Sequence, residues 1–292
     1  MKNLDFIIIG AQKSGSSFLQ YLLKHHPEVE MPNGETPIFL YPDFNEIKDL
    51  DNTIDKLFTT DKLKGIKRPN YLGKPESPQL IEAYGDGEIK LIAVLRDPVN
   101  RFISAYLHTV SHSWIKPFYL KRKIKKILKK DKLNPIESNL FEYGFYAKYL
   151  KLYEKTILKD NLLILDFNYL KNSPQLAFNL VCTFLNINQI EFDKYILSKQ
   201  INRGSKNYLE LNKNYLTSKL IYTFDKKNQR LNSKEELGRL DKKLLYLLNK
   251  TYFFLNSKFN FKNIEFDQKI KNKIELIYLE DQNNLKKFKV IK

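Results

Sequence analysis

Residues 5–23 read DFIIIGAQKSGSSFLQYLL. The first part, residues 5–10, is a continuous, mainly apolar run that ends in glycine, which is typical of a buried strand in a parallel sheet. The later part, residues 16–25, has apolar residues at helical spacing before a proline, which predicts an amphipathic helix. The turn between them contains Lys13 and Gly15. A strand, a tight turn and a helix in this order predict the first β-α unit of an α/β fold.

The same alternation continues along the chain. Short apolar runs at residues 64–66, 90–96 and 162–165 predict further buried strands, and residues 174–185 predict an amphipathic helix. Asp97 stands directly before a proline, which predicts a helix N-cap with proline in the first turn. The predicted fold class is therefore α/β, with a central parallel sheet flanked by helices.

The chain carries no linker rich in proline, glycine or serine that would divide it. We therefore expect one domain over residues 1–292, a length that can bury a large core. From about residue 207 the pattern is helical, rich in lysine and poor in glycine, and residues 207–262 are interpreted as a helical insertion. Residues 121–130, KRKIKKILKK, predict a helix with one narrow apolar face and basic residues elsewhere.

Composition limits the class of protein. Hydrophobic residues make up 42% and aromatic residues 13% of the chain, which excludes a wholly disordered protein. The single cysteine, Cys182, excludes an intramolecular disulfide framework and a cysteine-rich zinc site, and fits a reducing compartment. No apolar run approaches the length of about 18 residues that a membrane span needs, and residues 1–10 do not resemble a signal peptide. The expected location is the cytoplasm.

The formal net charge is +17, which favours acidic partners such as nucleotides, nucleic acids, acidic glycans or anionic membranes. The charge does not choose among these partners, and a solvated basic surface is also compatible with it.

The first turn predicts an anion site. Backbone N–H groups at a helix N-terminus point outward, and the helix dipole adds positive potential. Lys13 supplies a full charge, and the adjacent serines supply hydroxyl donors. The Walker A pattern places lysine directly after its second glycine, whereas Lys13 precedes Gly15 by two positions. The turn is therefore not a standard ATP or GTP loop.

A second anion site is predicted at the end of the strand over residues 90–96. Ligands of open α/β sheets bind at the carboxyl ends of the strands. Arg96 stands at such an end and can meet a phosphate with two parallel N–H bonds. Ser104 lies about two helical turns beyond Asp97.

These motifs together resemble the PAPS-dependent sulfotransferases, of the bacterial and glycan type. PAPS is 3′-phosphoadenosine 5′-phosphosulfate. The first loop is similar to the family's 5′-phosphosulfate loop, and Arg96 with Ser104 is similar to its 3′-phosphate motif. The resemblance covers residues 4–206 and a closing helix at residues 276–285. It implies a P-loop-like nucleotide-binding fold, PAPS as sulfuryl donor and adenosine 3′,5′-bisphosphate as product. The donor-binding residues that it implies are Lys13, Ser14, Gly15, Ser16, Ser17, Arg96, Ser104, Arg203 and Lys206.

The resemblance also implies the catalytic residues. Glu35 lies in a segment similar to the catalytic-glutamate segment of glycan sulfotransferases and is the candidate base. Lys13 is expected to stabilise the leaving phosphate oxygens. Lys67 lies in a Gly-x-Lys-x-Pro-x-Tyr segment, where Arg68 departs from the family's small hydroxyl residue, and is expected to orient donor or acceptor. The other candidate bases are the histidines His25, His26, His108 and His112, of which the first two are explained by capping at a helix C-terminus and His108 by a position after the Ser104 helix.

The expected activity is sulfuryl transfer to a hydroxyl, or less favoured an amine, of a glycan or glycolipid. The basic helix at residues 121–130 would attract this acceptor, an acidic polysaccharide or an anionic membrane surface. Two alternatives stay open: a P-loop nucleotide-dependent phosphotransferase, and a non-enzymatic basic nucleic-acid-binding protein. No Walker B carboxylate or RNA-binding aromatic signature supports them, so no specific nucleic acid is expected. No His, Cys, Asp or Glu cluster has metal-ligand spacing, so no metal requirement is expected.

Overall fold

A six-stranded parallel sheet lies at the centre of the part of the chain that the structure describes, in the strand order β2-β3-β1-β4-β5-β8. The structure is a computed structural model that describes residues 4–117, 119–157, 159–201, 204–225, 230–234 and 236–292. The sheet strands are β1 Phe6–Gly10, β2 Val29–Glu30, β3 Leu63–Lys67, β4 Lys90–Leu95, β5 Leu162–Asp166 and β8 Val290–Ile291, and an antiparallel hairpin adds β6 Tyr222–Asp225 and β7 Arg230–Ser233.

Helices connect the strands and cover both faces of the sheet. Two short 3₁₀ turns occupy Tyr71–Gly73 and Lys159–Asn161. The α-helices are α1 Ser16–Lys24, α2 Asp43–Glu46, α3 Leu50–Asp55, α4 Ser77–Gly85, α5 Pro98–Ser111, α6 Leu120–Ile127, α7 Pro135–Glu142, α8 Tyr146–Tyr153, α9 Phe167–Asn172, α10 Pro174–Leu185, α11 Lys194–Leu197, α12 Tyr208–Ile221, α13 Arg239–Lys258 and α14 Gln268–Leu285.

Alternating side chains of β1 point to opposite faces of the sheet and enter two separate cores. Ile7 and Ile9 belong to the core that α4 and α8 cover, whereas Phe6 and Ile8 belong to the core that α1 and α10 cover. All four side chains are fully buried. This explains why β1 reads as a continuous apolar run rather than an alternating one.

The chain divides into two compact units. Unit 1 is drawn from residues 1–101, 142–202 and 278–292, and it contains the parallel sheet. Unit 2 is drawn from residues 102–141 and 203–277. Most of its buried side chains come from α5, α6, α7, α12 and α14.

The α/β fold class is confirmed, and the predicted strands and helices are present within one or two residues at most ends. Asp97 caps α5, since its Oδ1 accepts a hydrogen bond from the Asn100 amide at 2.8 Å. The helix predicted over residues 121–130 runs from Leu120 to Ile127, with the predicted apolar face buried. Whether residues 207–262 are an insertion stays a prediction.

Two expectations about unit 2 were wrong. The region after residue 207 is not helical throughout, because β6 and β7 form a hairpin within it. The aromatic and β-branched residues of β6, YTF, favour extended backbone there. His108 lies inside α5 rather than after it, because the helix continues to Ser111.

Candidate functional site

The loop that joins β1 to α1 has a backbone that only certain residues tolerate. Lys13 and Gly15 have positive φ angles of 64° and 94°, in the left-handed region. A Cβ on Gly15 would lie 3.0 Å from the Phe167 ring, and a Cβ on Gly10 would lie 2.6 Å from the Leu72 Cβ. Glycine is required at position 15 for both its backbone conformation and this close contact.

Neither the loop nor the first turn of α1 carries a negatively charged side chain. Gly15 is the N-cap residue and offers no side chain to the first turn, which contains no acidic residue. Ser16 and Ser17 begin the helix, and Ser16 is buried. Because the first N–H groups of a helix have no partner within it, this end of α1 is suited to an anion.

The Lys13 side chain is partly buried and therefore partly desolvated. Burial lowers the pKa of its ammonium group from 10.5 to about 8. The positive charge of Arg96 also lowers this pKa, whereas the negative charge of Glu35 raises it. A cation that has lost much of its hydration gains more from an incoming anion than an exposed lysine does.

Arg96, at the end of β4, connects this strand to the loop. Its Nη1 donates a hydrogen bond to the carbonyl oxygen of Lys13 at 3.2 Å, and its guanidinium lies 4.8 Å from the centroid of the Phe167 ring. The two interactions leave the planar group restrained beside the loop. A restrained guanidinium loses little conformational entropy when it binds a phosphate.

Lys67, at the end of β3, brings a second buried cation to the same edge of the sheet. Its Nζ donates a hydrogen bond to the Ser17 hydroxyl at 3.0 Å and lies 3.7 Å from the Glu35 Oε1. Only 4% of its side chain is exposed, and burial lowers its pKa. The end of β3 is thus bonded directly to the first turn of α1.

Glu35 lies between two cations and remains accessible. Arg68 donates from Nη1 to the Glu35 Oε2 at 2.7 Å, and Lys67 lies against the other carboxylate oxygen. The Glu35 side chain is 37% exposed. An accessible carboxylate held beside these two cations can accept a proton from a bound hydroxyl.

The segment that carries Glu35 is fixed on both sides. The Gln20 side chain donates to the Gly34 carbonyl at 3.0 Å, and the Thr36 amide donates to the Lys67 carbonyl at 3.0 Å. The Tyr71 hydroxyl donates to the Thr36 carbonyl. These bonds fix the backbone on both sides of Glu35, and Arg68 and Lys67 then hold its carboxylate.

Helix α8 closes the other side of the loop. Tyr146 at its start is buried, and burial raises the pKa of its phenol, whereas Arg101 and the Ser14 hydroxyl act in the opposite direction. The Asp281 carboxylate accepts the Ala147 and Lys148 amides at 3.0 and 2.8 Å. This carboxylate satisfies N-terminal amides of α8 and so fixes the helix beside the loop.

The structure brings most of the predicted site residues together in unit 1. These residues are Lys13, Ser14, Gly15, Ser16, Ser17, Glu35, Lys67 and Arg96. Ser104 lies in α5 and Lys206 lies before α12, both in unit 2, while Arg203 lies outside the described residues. Their roles stay predictions.

Three of the alternative bases have hydrogen-bond partners on the backbone, and in one of them the His112 Nδ1 lies 2.9 Å from the His108 carbonyl. The His25 Nδ1 lies 2.8 Å from the Tyr21 carbonyl at the end of α1. His26 is buried, with its Nε2 2.8 Å from the Asn188 carbonyl, and its Nδ1 accepts the Glu28 amide at 3.2 Å. His26 therefore links α1 to the chain after α10.

Sequence reasoning missed the groups that support the site. Arg68 was noted only as a departure from the family segment, and nothing in the sequence linked it to Glu35. Phe167 and Gln20 carry no local signal either, since their roles depend on contacts across the fold. A signal for Asp281 does exist in the sequence. Asp281 is the acidic residue of α14 that lies three positions after Tyr278, on the buried face of this helix.

Two further observations concern the described residues. No three His, Cys, Asp or Glu side chains cluster there in a way that could hold a metal ion. Within the same residues, no helix is both long and apolar enough to cross a membrane.

The fold and this site define an α/β protein with a loop suited to an anion at the end of its first strand and a carboxylate beside that loop. The chain belongs to the sulfotransferase family, because the model of the sulfotransferase domain matches residues 3–272.

Relatives and a solved structure agree with this membership. The chain is 30% identical to heparan sulfate glucosamine 3-O-sulfotransferase 3B1 of Mus musculus over 198 residues, which are 66% of this chain and 49% of that protein. It is 25% identical to the human bifunctional heparan sulfate N-deacetylase/N-sulfotransferase 1 over 202 residues, 64% of this chain and 23% of that protein. The chain thus spans about half the length of the first relative and about a quarter of the length of the second.

The crystal structure of a sulfotransferase from Alicyclobacillus acidocaldarius shares the fold. The TM-score is 0.58 at 23% identity, and the match covers 75% of this chain and 91% of that one. The parallel sheet and its helices are therefore those of a sulfotransferase.

Proposed function

We propose that this protein transfers a sulfuryl group from PAPS to a hydroxyl group of a glycan or glycolipid. The observation that carries the proposal is the arrangement of Lys13, Lys67 and Glu35 around the N-terminus of α1. The family match and the named sulfotransferase relatives support it.

The residues fit a donor that carries phosphate and sulfate groups. Lys67 is buried and Lys13 is partly buried, and desolvation lowers the pKa of both ammonium groups, which a bound anion would reverse. Ser16, Ser17 and the free end of α1 would hold the 5′-phosphosulfate, and Arg96 the 3′-phosphate. When bound, PAPS supplies the sulfuryl group and leaves as adenosine 3′,5′-bisphosphate.

In the proposed reaction Glu35 acts as the general base. Its carboxylate takes the proton of the acceptor hydroxyl while the acceptor oxygen forms its bond to sulfur and the bond from sulfur to the phosphate oxygen breaks. Arg68 and Lys67 hold the two carboxylate oxygens in place. Lys13 stabilises the negative charge that develops on the leaving phosphate, which is the main requirement in transfers of this type.

A glycan acceptor is proposed from the relatives, which are named for heparan sulfate, and from the net charge of +17. In α6 and the turn after it, three lysines already form ion pairs with acidic residues. Lys130 and Lys123 pair with Glu137, and Lys125 pairs with Asp267. The four remaining cations of residues 121–130 are exposed or nearly so, and are Lys121, Arg122, Lys126 and Lys129.

We infer that these four side chains attract an acidic acceptor. Replacing all four with glutamine should raise the KM for a sulfated or carboxylated polysaccharide and reduce its salt dependence, while donor affinity is unchanged. An unchanged acceptor KM at low salt would show that this surface is only solvated. A cytoplasmic location also stays part of the proposal, supported by the single buried thiol of Cys182.

The deciding experiment is transfer of radiolabelled sulfate from PAPS to a panel of polysaccharides and glycolipids. Calorimetric titration with adenosine 3′,5′-bisphosphate, ATP and a short oligonucleotide separates the alternatives. We expect tight binding of the bisphosphate alone. Preference for ATP would favour a phosphotransferase, and preference for the oligonucleotide would favour a nucleic-acid-binding protein.

A further inference from the structure

Helix α13 presents a long apolar surface to solvent. None of its residues is buried, although it is the longest helix among those described. Leu240 is 77% exposed and Phe254 is 54% exposed. Contiguous exposed apolar surface of this kind marks an interaction site in a soluble protein.

One side of α13 already has a partner. Leu245, Leu248 and Tyr252 are half-buried and recur at helical spacing. Lys213 of α12 lies with its Nζ 5.5 Å from the centroid of the Tyr252 ring. This side therefore packs on α12, and the exposed side is a different one.

The exposed apolar residues form a continuous stripe. Leu240, Leu244, Leu247 and Phe254 follow one another at intervals of four, three and seven residues, which places them along one line of an α-helix. Tyr246 and Phe253, 64% and 69% exposed, form a second row. The first stripe alone spans four helical turns.

Lysines run between and beside these rows. At about 100° per residue, Lys243 and Lys250 fall between the stripe and the second row. Lys258 lies at the end of the stripe, with its Nζ 4.5 Å from the centroid of the Phe254 ring. The only acidic residue of α13 is Asp241, which lies on the α12 side and pairs with Lys234 at 3.5 Å.

We propose that α13 binds the surface of an anionic phospholipid bilayer, with its leucine and phenylalanine side chains inserted at the headgroup level. Leucine, aromatic and lysine side chains on one helix face are the composition of helices that lie in this interface. The lysine stems can extend along the apolar residues while their ammonium groups reach the lipid phosphates.

Charge selects this occupant over two others. The four-three spacing of the stripe also fits a coiled-coil seam with a second copy of the chain. Two copies would, however, bring Lys243, Lys250 and Lys258 of each chain close to the same lysines of the other, without an acidic residue to offset them. An acidic glycan would satisfy the lysines but would leave the leucine stripe exposed.

Sedimentation with vesicles tests the proposal on the full chain and does not depend on sulfuryl transfer. The vesicles are an equimolar mixture of phosphatidylcholine and phosphatidylglycerol, with pure phosphatidylcholine as reference. We expect binding to the anionic vesicles only, weakening as salt is added. Absence of binding at low salt would overturn the proposal.

Paired variants separate the apolar from the electrostatic part. Leu244→Gln with Phe254→Gln, and separately Lys243→Gln with Lys250→Gln, should each lower the vesicle partition coefficient by about tenfold or more. These side chains are exposed, so the circular dichroism and unfolding midpoint should stay at wild-type values. The matched control is Lys155→Gln with Lys171→Gln, which removes the same charge at exposed positions of unit 1.

The control and the oligomeric state give the contradicting outcomes. An equal loss of binding in the Lys155 and Lys171 control would mean that net charge, not α13, drives binding. A wild-type dimer in light scattering that becomes monomeric with Leu244→Gln and Phe254→Gln, together with unchanged vesicle binding, would assign the stripe to self-association. Either result overturns the bilayer proposal.

Discussion

The Arg68 guanidinium donates to the Glu35 carboxylate at 2.7 Å, and these two residues come from different segments of the chain. Arg68 directly follows β3, whereas Glu35 precedes α2 in a segment fixed by Gln20. Because Lys67 lies against the other carboxylate oxygen at 3.7 Å, the carboxylate has a defined position and stays accessible. The candidate base is thus oriented by Lys67 and Arg68, which are adjacent to each other in the sequence.

Replacing Glu35 tests its role as base. Glu35→Gln keeps the shape of the side chain and removes its basicity, so kcat should fall by about 10²–10⁴-fold, the range for loss of a general base. The measurement is initial-rate kinetics of labelled transfer. Glu154→Gln, at an exposed position after α8, is the matched control and should leave kcat unchanged.

Donor affinity decides how the Glu35 result is interpreted. Titration with adenosine 3′,5′-bisphosphate should give the wild-type affinity for Glu35→Gln, since no donor contact is assigned to this residue. Near-normal kcat would return attention to the histidines His25, His26, His108 and His112 as candidate bases. A loss of affinity as large as the loss of rate would make Glu35 structural.

The lowered pKa of Lys13 predicts a pH dependence of product binding. Burial sets this pKa at about 8 in the free protein, and a bound phosphate favours the charged amine and raises it. Binding therefore takes up a proton above pH 8, and affinity should fall with rising pH there by up to about tenfold per pH unit. Phosphate ionisation does not interfere, because the second pKa of a phosphate monoester is about 6.

Lys13→Arg is the control for this titration. Arginine stays charged over the whole range, so the affinity of the variant should depend less on pH above 8 than that of the wild type. Titration calorimetry in buffers of different ionisation enthalpy would also measure the proton uptake directly. An identical pH profile in wild type and Lys13→Arg would assign the dependence to another group.

Arg96 should discriminate between nucleotides with and without a 3′-phosphate. Arg96→Ala should lower the affinity for adenosine 3′,5′-bisphosphate by roughly 10- to 150-fold, which is the contribution of one charge-assisted hydrogen bond. The affinity for AMP, which lacks the 3′-phosphate, should fall less. Some loss for AMP is expected because Arg96 also holds the Lys13 carbonyl. Equal losses for both nucleotides would place the 3′-phosphate elsewhere, and Arg96→Lys should be intermediate.

Gly15→Ala should disrupt the loop and not only strain it. An alanine in the left-handed region costs about 1–2 kcal/mol, and its Cβ would also meet the Phe167 ring at 3.0 Å. Gly34→Ala is the control, because Gly34 has a φ of 85° with nothing within 4 Å of the added Cβ. Urea unfolding should show a larger loss of stability for Gly15→Ala. Equal losses would mean that Phe167 moves aside freely.

Local signals made the first β-α unit predictable. The apolar run of β1, the glycine-containing loop and the apolar spacing of α1 all lie within twenty or so residues, so the sequence pattern reports them directly. The Asp97 cap was predictable for the same reason. The sulfotransferase resemblance added Glu35 and Lys67, which no periodicity would have singled out.

The features that were missed depend on contacts between distant segments. The Arg68 and Glu35 pair joins residues 33 positions apart, and the Asp281 cap of α8 joins residues more than 130 positions apart. Strands β2 and β8 have two residues each, too few for a periodic pattern. The β6–β7 hairpin was read as helix because lysine-rich flanking segments dominated the pattern.

The Asp281 cap has a consequence for how the chain matures during translation. The amides at the start of α8 and the outer edge of β5 find their partners, Asp281 and β8, only after all of unit 2 has been synthesised. At ordinary elongation rates this interval is on the order of ten seconds. During it, β5 is an open strand edge that can pair with another nascent chain. The protein should therefore depend on chaperones more strongly than its single parallel sheet suggests, and loss of the last turns of α14 should reduce yield before it reduces activity.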